Sequence, residues 1–190
     1  MQKIFLLPAL FLLFSYSSHA QNFEVSGVEV PATINVNNEK LSLNGAGIRS
    51  EFWIDLYVGS LYVPNKSSKA SDYITSDNNI SIHLNIVSKL VTSKKMVEAV
   101  EEGFDKATDG NTGKLRKRID QLKAYFMDDP IVKGDHIELN YHASKQSTEV
   151  KKNGKALGII EGLDFKQGLI AIWLGDDPAD SKLKKAMLGQ

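Results

Sequence analysis

One segment, residues 56–63, constrains the fold more than any other part of the chain. Its sequence, LYVGSLYV, carries apolar side chains at both odd and even positions. Successive side chains of a strand point to opposite faces, so this segment predicts a β-strand with two apolar faces. A strand of that kind is buried on both sides.

The order of the other elements predicts the α+β class. Residues 23–30 alternate loosely, residues 33–43 indicate a hairpin turning at Asn37-Asn38, and the aromatic region 48–63 indicates a long strand or a strand pair. Alternating apolar residues predict strands over 80–87 and 137–142, and Asn153-Gly154 predicts a type I′ hairpin. Apolar stripes of helical spacing predict helices over 93–107, 115–126, 164–175 and 178–188. This order favours an antiparallel sheet covered on one face by helices.

The first twenty residues are typical of a cleavable secretory signal. Lys3 precedes an apolar run from Ile4 to Phe14, and small residues lead to Ala20. The apolar run is shorter than the ~20 residues that a membrane-spanning helix needs. We therefore expect export, to the periplasm in a bacterium, with no membrane span after processing. Residues 21–190 then form a single domain.

Several classes of site are excluded or disfavoured by composition. The chain has no cysteine, which excludes disulfides, zinc ribbons and cysteine nucleophiles. Its formal net charge is zero, which argues against nucleic-acid binding through a broad basic surface. The histidines outside the signal are expected to be solvent-facing strand residues, without the spacing of a metal site: His83, His136 and His142. The sequence has no P-loop, no dinucleotide-binding fingerprint and no H-E-x-x-H motif, so we expect no metal and no cofactor.

Arg49 is the most distinctive charged residue. The chain has only three arginines among its 23 basic residues, and Arg49 stands apart from the other two, directly after Gly45-Ala46-Gly47-Ile48. Glycine allows a tight turn or a close approach of another group. A guanidinium can bind an anionic oxygen with two donors. The alternative is a structural ion pair, for example with Glu51, and the residues alone leave both interpretations open.

These motifs together resemble the chalcone isomerase superfamily, and most closely its exported bacterial branch. The resemblance is carried by the pattern G-x-G-x-R at residues 45–49, the pattern Y-x-G-x-L-Y at residues 57–62 and the C-terminal segment 165–189. The resemblance implies an open-faced β-sandwich, in which helices cover one face of an antiparallel sheet.

The resemblance also implies site residues. Arg49 matches the arginine that stabilises the phenolate and enolate in plant chalcone isomerases. The family's catalytic threonine falls near Tyr57, two helical positions fall near Met96 and Gly103, and a late binding threonine falls near Lys155. We therefore expect all five to bind ligand, with Arg49 and Tyr57 catalytic if the protein is active.

Three functions remain open at this point. The first is a non-catalytic binder of a small amphipathic acid or phenolic compound, because Met96 and Gly103 lack the family's hydrogen-bonding groups. The second is an intramolecular lyase, an isomerase that closes a chalcone-like substrate. The third is an envelope interaction protein without a ligand. The sequence indicates no oligomeric state.

Overall fold

The computed structural model describes residues 22–190, so the predicted signal lies outside the described residues. Among the described residues, no helix combines the length and the apolar composition needed to cross a bilayer. The strands are β1 (Phe23–Val25), β2 (Val28–Val30), β3 (Thr33–Val36), β4 (Glu39–Glu51), β5 (Ile54–Val63), β6 (Ile80–Ile86), β7 (His136–His142), β8 (Ser147–Lys152) and β9 (Lys155–Glu161). The helices are α1 (Ser71–Ile74), α2 (Ser93–Ala107), α3 (Arg116–Asp128), α4 (Leu163–Leu174) and α5 (Ser181–Met187).

Seven of these strands form one antiparallel sheet. Their order is β3-β4-β5-β6-β7-β8-β9, so each strand pairs with its neighbours in sequence, and β1 and β2 form a separate hairpin. The helices contribute their apolar stripes to one large core against this sheet. The predicted α+β class, with helices on an antiparallel sheet, is confirmed.

Strand β5 is buried on both sides, as its sequence predicts. All of its residues from Tyr57 to Val63 are buried. On the helix side, Tyr57, Leu61 and Val63 belong to the large core. On the opposite side, Val58 and Tyr62 belong to a smaller cluster with residues of β2, β3 and β4, namely Val30, Val36, Leu41 and Leu43. The N-terminal strands therefore supply the second cover.

The region 48–63 is a strand pair, and Phe52-Trp53 forms the turn between β4 and β5. Both residues have left-handed backbone angles, with φ of 46° for Phe52 and 64° for Trp53. Their side chains are 81% and 98% exposed. Left-handed angles are unusual for bulky residues, and two-residue hairpin turns favour Asn-Gly instead. The turn therefore holds two aromatic side chains in solvent at a conformational cost.

Gly45 and Gly47 lie within β4, where they allow α5 to approach closely. A Cβ atom on Gly45 would overlap the backbone carbonyl oxygen of Ala186 in α5. A Cβ atom on Gly47 would lie 2.5 Å from the Ala186 Cβ. The glycines thus serve a close approach rather than a turn, and Arg49 follows two residues beyond this contact.

His83 is buried, so the prediction that it faces solvent is wrong. Its side chain is 7% exposed, and its ring centroid lies 4.8 Å from that of Tyr62 and 4.7 Å from that of His136. His83 lines a groove on the face of the sheet opposite the helices. The other wall of this groove is formed by residues of β2 and β3, which cover that face. Burial lowers the pKa of His83 to about 3, so the imidazole is neutral. His136 and His142 are half-buried.

Candidate functional site

An apolar cavity lies between the sheet and the helices α2, α3 and α4. Its volume is about 60 Å³. Four of the five residues expected to bind ligand line this cavity: Arg49, Tyr57, Met96 and Gly103. The wall is completed mainly by aliphatic and aromatic side chains, including Leu84, Val100, Leu122, Phe126, Leu139 and Leu169. The fold therefore brings together residues from β4, β5 and α2 around one apolar space.

A larger groove of about 440 Å³ adjoins the cavity. Its apolar wall includes Phe52, Ile54 and Leu90, which are 81%, 44% and 57% exposed. The groove and the cavity share five lining residues: Arg49, Tyr57, Met96, Ala99 and Glu102. Arg49 and Tyr57 therefore lie where the open groove meets the buried cavity. We refer to the groove and the cavity together as the Arg49 cleft.

The Arg49 guanidinium faces this junction without an acidic partner. Arg49 pairs with Tyr57 across the β4–β5 ladder, and its Cζ lies 5.7 Å from the centroid of the Tyr57 ring. Within residues 22–190, no carboxylate oxygen lies within 4.0 Å of its guanidinium nitrogens. The two other arginines, Arg116 and Arg118, are both paired with carboxylates. The structure thus favours a free guanidinium over the ion-pair interpretation.

Tyr57 supplies a hydroxyl beside the guanidinium. It is 4% exposed, and its oxygen accepts a hydrogen bond of 2.9 Å from the Trp173 Nε1 of α4. Burial raises the pKa of Tyr57 above its usual value, and this effect outweighs the opposing influence of Arg49 and of the Trp173 N–H. The phenol is therefore protonated at neutral pH and can donate to a ligand oxygen.

The two other charged residues that line the cavity, Glu102 and Lys106, form a pair of their own. Glu102 and Lys106 lie one turn apart on α2, and their charged atoms are 2.9 Å apart. The hydrogen bond from Lys106 lowers the pKa of Glu102, and the positive charges of Lys106 and Arg49 lower it further. Glu102 thus has a partner other than Arg49, and its charge remains balanced when Arg49 binds an anion.

Met96 and Gly103 shape the cleft without donating hydrogen bonds. Met96 is 7% exposed and lines both the cavity and the groove. A Cβ atom on Gly103 would lie 2.8 Å from Ile172 of α4. Glycine at this position therefore allows α2 and α4 to pack closely at Ile172, the residue before Trp173.

Lys155 lies outside the Arg49 cleft. It is the first residue of β9, directly after the Asn153-Gly154 turn, and it is exposed. It pairs with Lys152 across the β8–β9 hairpin. The hairpin turn holds this position away from the cavity, so the structure does not bring Lys155 to the other four residues.

Trp173 is the cleft residue that sequence reasoning missed as a functional group. Its position in the apolar stripe of α4 indicates a core residue, and it is indeed 6% exposed. Its hydrogen bond to Tyr57 joins residues 116 positions apart in the chain. The only available signal was that a buried indole N–H needs an acceptor.

The described part of the chain contains no group of three or more histidine, aspartate or glutamate side chains suited to hold a metal ion. Arg49, Tyr57 and Trp173 are donors or aromatic groups, which do not form a metal site. The chemistry of the cleft is therefore that of hydrogen-bond donation into an apolar space.

Comparison with known proteins identifies a matching family and a group of similar solved structures. A family model described as chalcone isomerase-like matches residues 21–189. No curated protein matches the chain by sequence. Among solved structures, a fatty-acid binding protein from Arabidopsis thaliana matches with a TM-score of 0.66 and 19% sequence identity. The match covers 85% of this chain and 92% of that one, and at this identity it shows a shared fold.

Proposed function

The chain belongs to the chalcone isomerase-like family, and we propose that it is a non-catalytic protein that binds a small amphipathic acid or phenolic compound in the Arg49 cleft. The observation that carries this proposal is the Arg49 guanidinium, which has no carboxylate partner among the described residues and faces an apolar space beside the Tyr57 hydroxyl. An anionic oxygen placed there would receive hydrogen bonds from both groups.

The volumes indicate where the apolar body of the ligand lies. A cavity must measure roughly 10–15 Å³ to hold one water molecule, so the cavity of about 60 Å³ has room for a few waters or one small group. The groove of about 440 Å³ is within the range of small-molecule sites. We therefore place the acid group at Arg49 and Tyr57 and the apolar body against Phe52, Ile54 and Leu90.

The structural relative suggests the first ligands to test. Its published description is that of a fatty-acid binding protein. A fatty acid has the anionic head and apolar body that the Arg49 cleft would hold, so dodecanoate is a suitable probe. A phenolic acid such as coumarate tests the second ligand class.

Binding of these probes is measured by isothermal titration calorimetry with the protein and two variants. Arg49→Ala should weaken dodecanoate binding at least about tenfold, because a hydrogen bond to a charged group contributes roughly 1.5–3 kcal/mol. Lys155→Ala removes one positive charge outside the cleft and should bind like the unmodified protein. The methyl ester should bind weakly to all three, because it lacks the negative charge.

Equal binding by the unmodified protein and Arg49→Ala would refute the proposed site. Saturable binding that the Lys155→Ala control weakens as strongly as Arg49→Ala would indicate a general charge effect instead.

The same cleft could serve an intramolecular lyase, and an activity assay distinguishes the two. Arg49 and Tyr57 could stabilise an enolate oxygen. Met96 and Gly103, however, contribute no hydrogen-bond donor, and this favours binding over catalysis. Ring closure of a chalcone above the uncatalysed rate, abolished by Arg49→Ala, would replace the binding proposal. Absence of both binding and ring closure would leave a role as an envelope interaction protein.

We also propose that the protein acts after export, in the periplasm of a bacterium. The support is the signal-like sequence of residues 1–20. Cell fractionation and mass spectrometry of the purified protein test this location. A mature N-terminus at Gln21 in the periplasmic fraction is expected, and an unprocessed cytoplasmic protein would contradict the proposal.

A further inference from the structure

The hydrogen bond between Trp173 and Tyr57 has a fixed direction as well as a fixed geometry. Trp173 Nε1 lies 2.9 Å from the Tyr57 hydroxyl oxygen, and the two residues are 6% and 4% exposed. An indole N–H can donate but cannot accept. The Tyr57 oxygen must therefore be the acceptor in this bond.

The consequence concerns the hydroxyl proton of Tyr57. Because its oxygen accepts from Trp173, the proton has to point toward a different group. Among the hydrogen bonds of residues 22–190, the Tyr57 hydroxyl is an acceptor from Trp173 and a donor to no protein oxygen. The proton is therefore available to a ligand at the junction of cavity and groove.

The neighbouring groups reinforce this direction. Arg49 is also a donor without acceptor capacity, and its Cζ lies 5.7 Å from the Tyr57 ring. Glu102, the acidic residue that lines this junction, is held by Lys106 at 2.9 Å. The head-group position is thus flanked by two donors, Arg49 and Tyr57, and the carboxylate that lines the junction is already paired with a lysine.

We infer that Trp173 is a positioning residue that keeps Tyr57 in the donor state and so makes the Arg49 cleft selective for ionised oxygen acids over alcohols. This inference rests on the proposed binding function and adds the origin of its selectivity. A carboxylate or phenolate is an acceptor only and matches two donors. An alcohol brings a proton of its own and finds no free acceptor on Tyr57.

The structure also explains why Trp173 can hold this position. Trp173 lies near the end of α4, and the preceding residue, Ile172, packs against Gly103 of α2. The backbone oxygen of Ile172 accepts a 2.8 Å hydrogen bond from Ala179, which ties the end of α4 to the following loop. The residue before Trp173 is therefore held by both its side chain and its backbone, and a rigidly placed donor loses little freedom when a ligand binds.

The experiment compares dodecanoate with 1-dodecanol, which share the same chain length. Affinities are measured for the unmodified protein, Trp173→Phe, Tyr57→Phe, the double variant and Arg49→Ala. Trp53→Phe is the matched control, because it makes the same chemical change at a side chain that is 98% exposed. In Trp53→Phe, Trp173 is also the sole tryptophan and its fluorescence reports binding.

Trp173→Phe should weaken dodecanoate binding about fivefold, the size expected for one hydrogen bond, and leave dodecanol binding nearly unchanged. The acid-to-alcohol preference therefore falls, whereas a merely structural loss would affect both ligands equally. In the Tyr57→Phe background, Trp173→Phe should produce no further loss of preference, because the hydroxyl on which it acts is gone. Trp53→Phe should retain the original preference.

An unchanged acid-to-alcohol preference in Trp173→Phe would overturn the inference, and so would equal losses for both ligands. If Trp173→Phe fails to fold, Tyr57→Phe decides: the inference requires a reduced preference, and an unchanged one refutes it. Failure of the proposed function gives a different result, because dodecanoate would then bind to Arg49→Ala as it does to the unmodified protein.

Discussion

Replacing His83 with glutamine should remove part of the acid sensitivity of the folded protein. His83 is 7% exposed, and burial lowers its pKa from 6.5 to about 3. As the pH falls below 6.5, the unfolded chain takes up a proton on this side chain, whereas the folded protein does not until about pH 3. The unfolded state is therefore favoured progressively within this window.

The magnitude follows from the two pKa values. Between them the free energy of unfolding falls by at most ~1.36 kcal/mol for each pH unit. Integrated from neutral pH to about pH 5, the loss due to His83 amounts to about 2 kcal/mol. Glutamine is polar but does not titrate, so His83→Gln should lose about 2 kcal/mol less stability over the same range.

Urea unfolding at several pH values from about 7.5 to about 5 measures this difference. At the highest pH, His83 is neutral in both the folded and the unfolded state. The difference in stability between His83→Gln and the unmodified protein at that pH is therefore the cost of the substitution itself, and it serves as the internal control. A pH dependence in His83→Gln as steep as that of the unmodified protein would refute the argument that burial keeps this imidazole neutral.

Three further predictions concern stability and are measured by urea unfolding. Gly45→Ala should destabilise the protein by about 2 kcal/mol through overlap with a backbone carbonyl of α5. Gly113→Ala should have little effect, because the new Cβ would meet no atom from another part of the chain within 4 Å. Equal effects of the two substitutions would contradict this packing. Lys166→Met should lower the free energy of unfolding by about 3 kcal/mol, because the buried ammonium donates to three backbone carbonyl oxygens that would lose their partner. A variant as stable as the unmodified protein would contradict that role. Replacing Phe52-Trp53 by Asn-Gly should stabilise the protein by about 1 kcal/mol, since these residues favour left-handed angles; a loss of stability would show that the aromatic turn is not strained.

Local sequence patterns predicted the parts of the fold that depend on local rules. The two apolar faces of residues 56–63 predicted a strand buried on both sides, and β5 is buried from Tyr57 onward. The Asn153-Gly154 pair predicted the β8–β9 turn, and both residues have positive φ angles. These features follow from side-chain alternation and from the backbone preferences of Asn and Gly, which need no knowledge of distant residues.

Features that depend on contacts between distant residues could not be predicted from the sequence. The exposure of His83 depends on whether the N-terminal strands fold over its face of the sheet. The Phe52-Trp53 turn was hidden because aromatic residues indicate strand and seldom adopt left-handed angles. Lys155 was placed in the cleft by alignment with a family position, but a hairpin turn holds it elsewhere.

The candidate site also combines residues that local motifs predicted with a contact between distant residues that they did not. Arg49 was distinguished by its isolation from the other basic residues and by its motif, and the structure places it at the cleft beside Tyr57. The role of Trp173 could not be predicted, because its hydrogen bond spans 116 positions and its sequence context is that of an ordinary core residue.

The most direct test of the central claim is a crystal structure with dodecanoate brominated at the end of its chain, which locates both ends of the ligand. The account predicts carboxylate oxygens within about 3 Å of the Arg49 guanidinium and the Tyr57 hydroxyl, with the anomalous signal of bromine in the groove beside Ile54 and Leu90. A ligand bound on the opposite face of the sheet, or one whose carboxylate points into solvent away from Arg49, would contradict it.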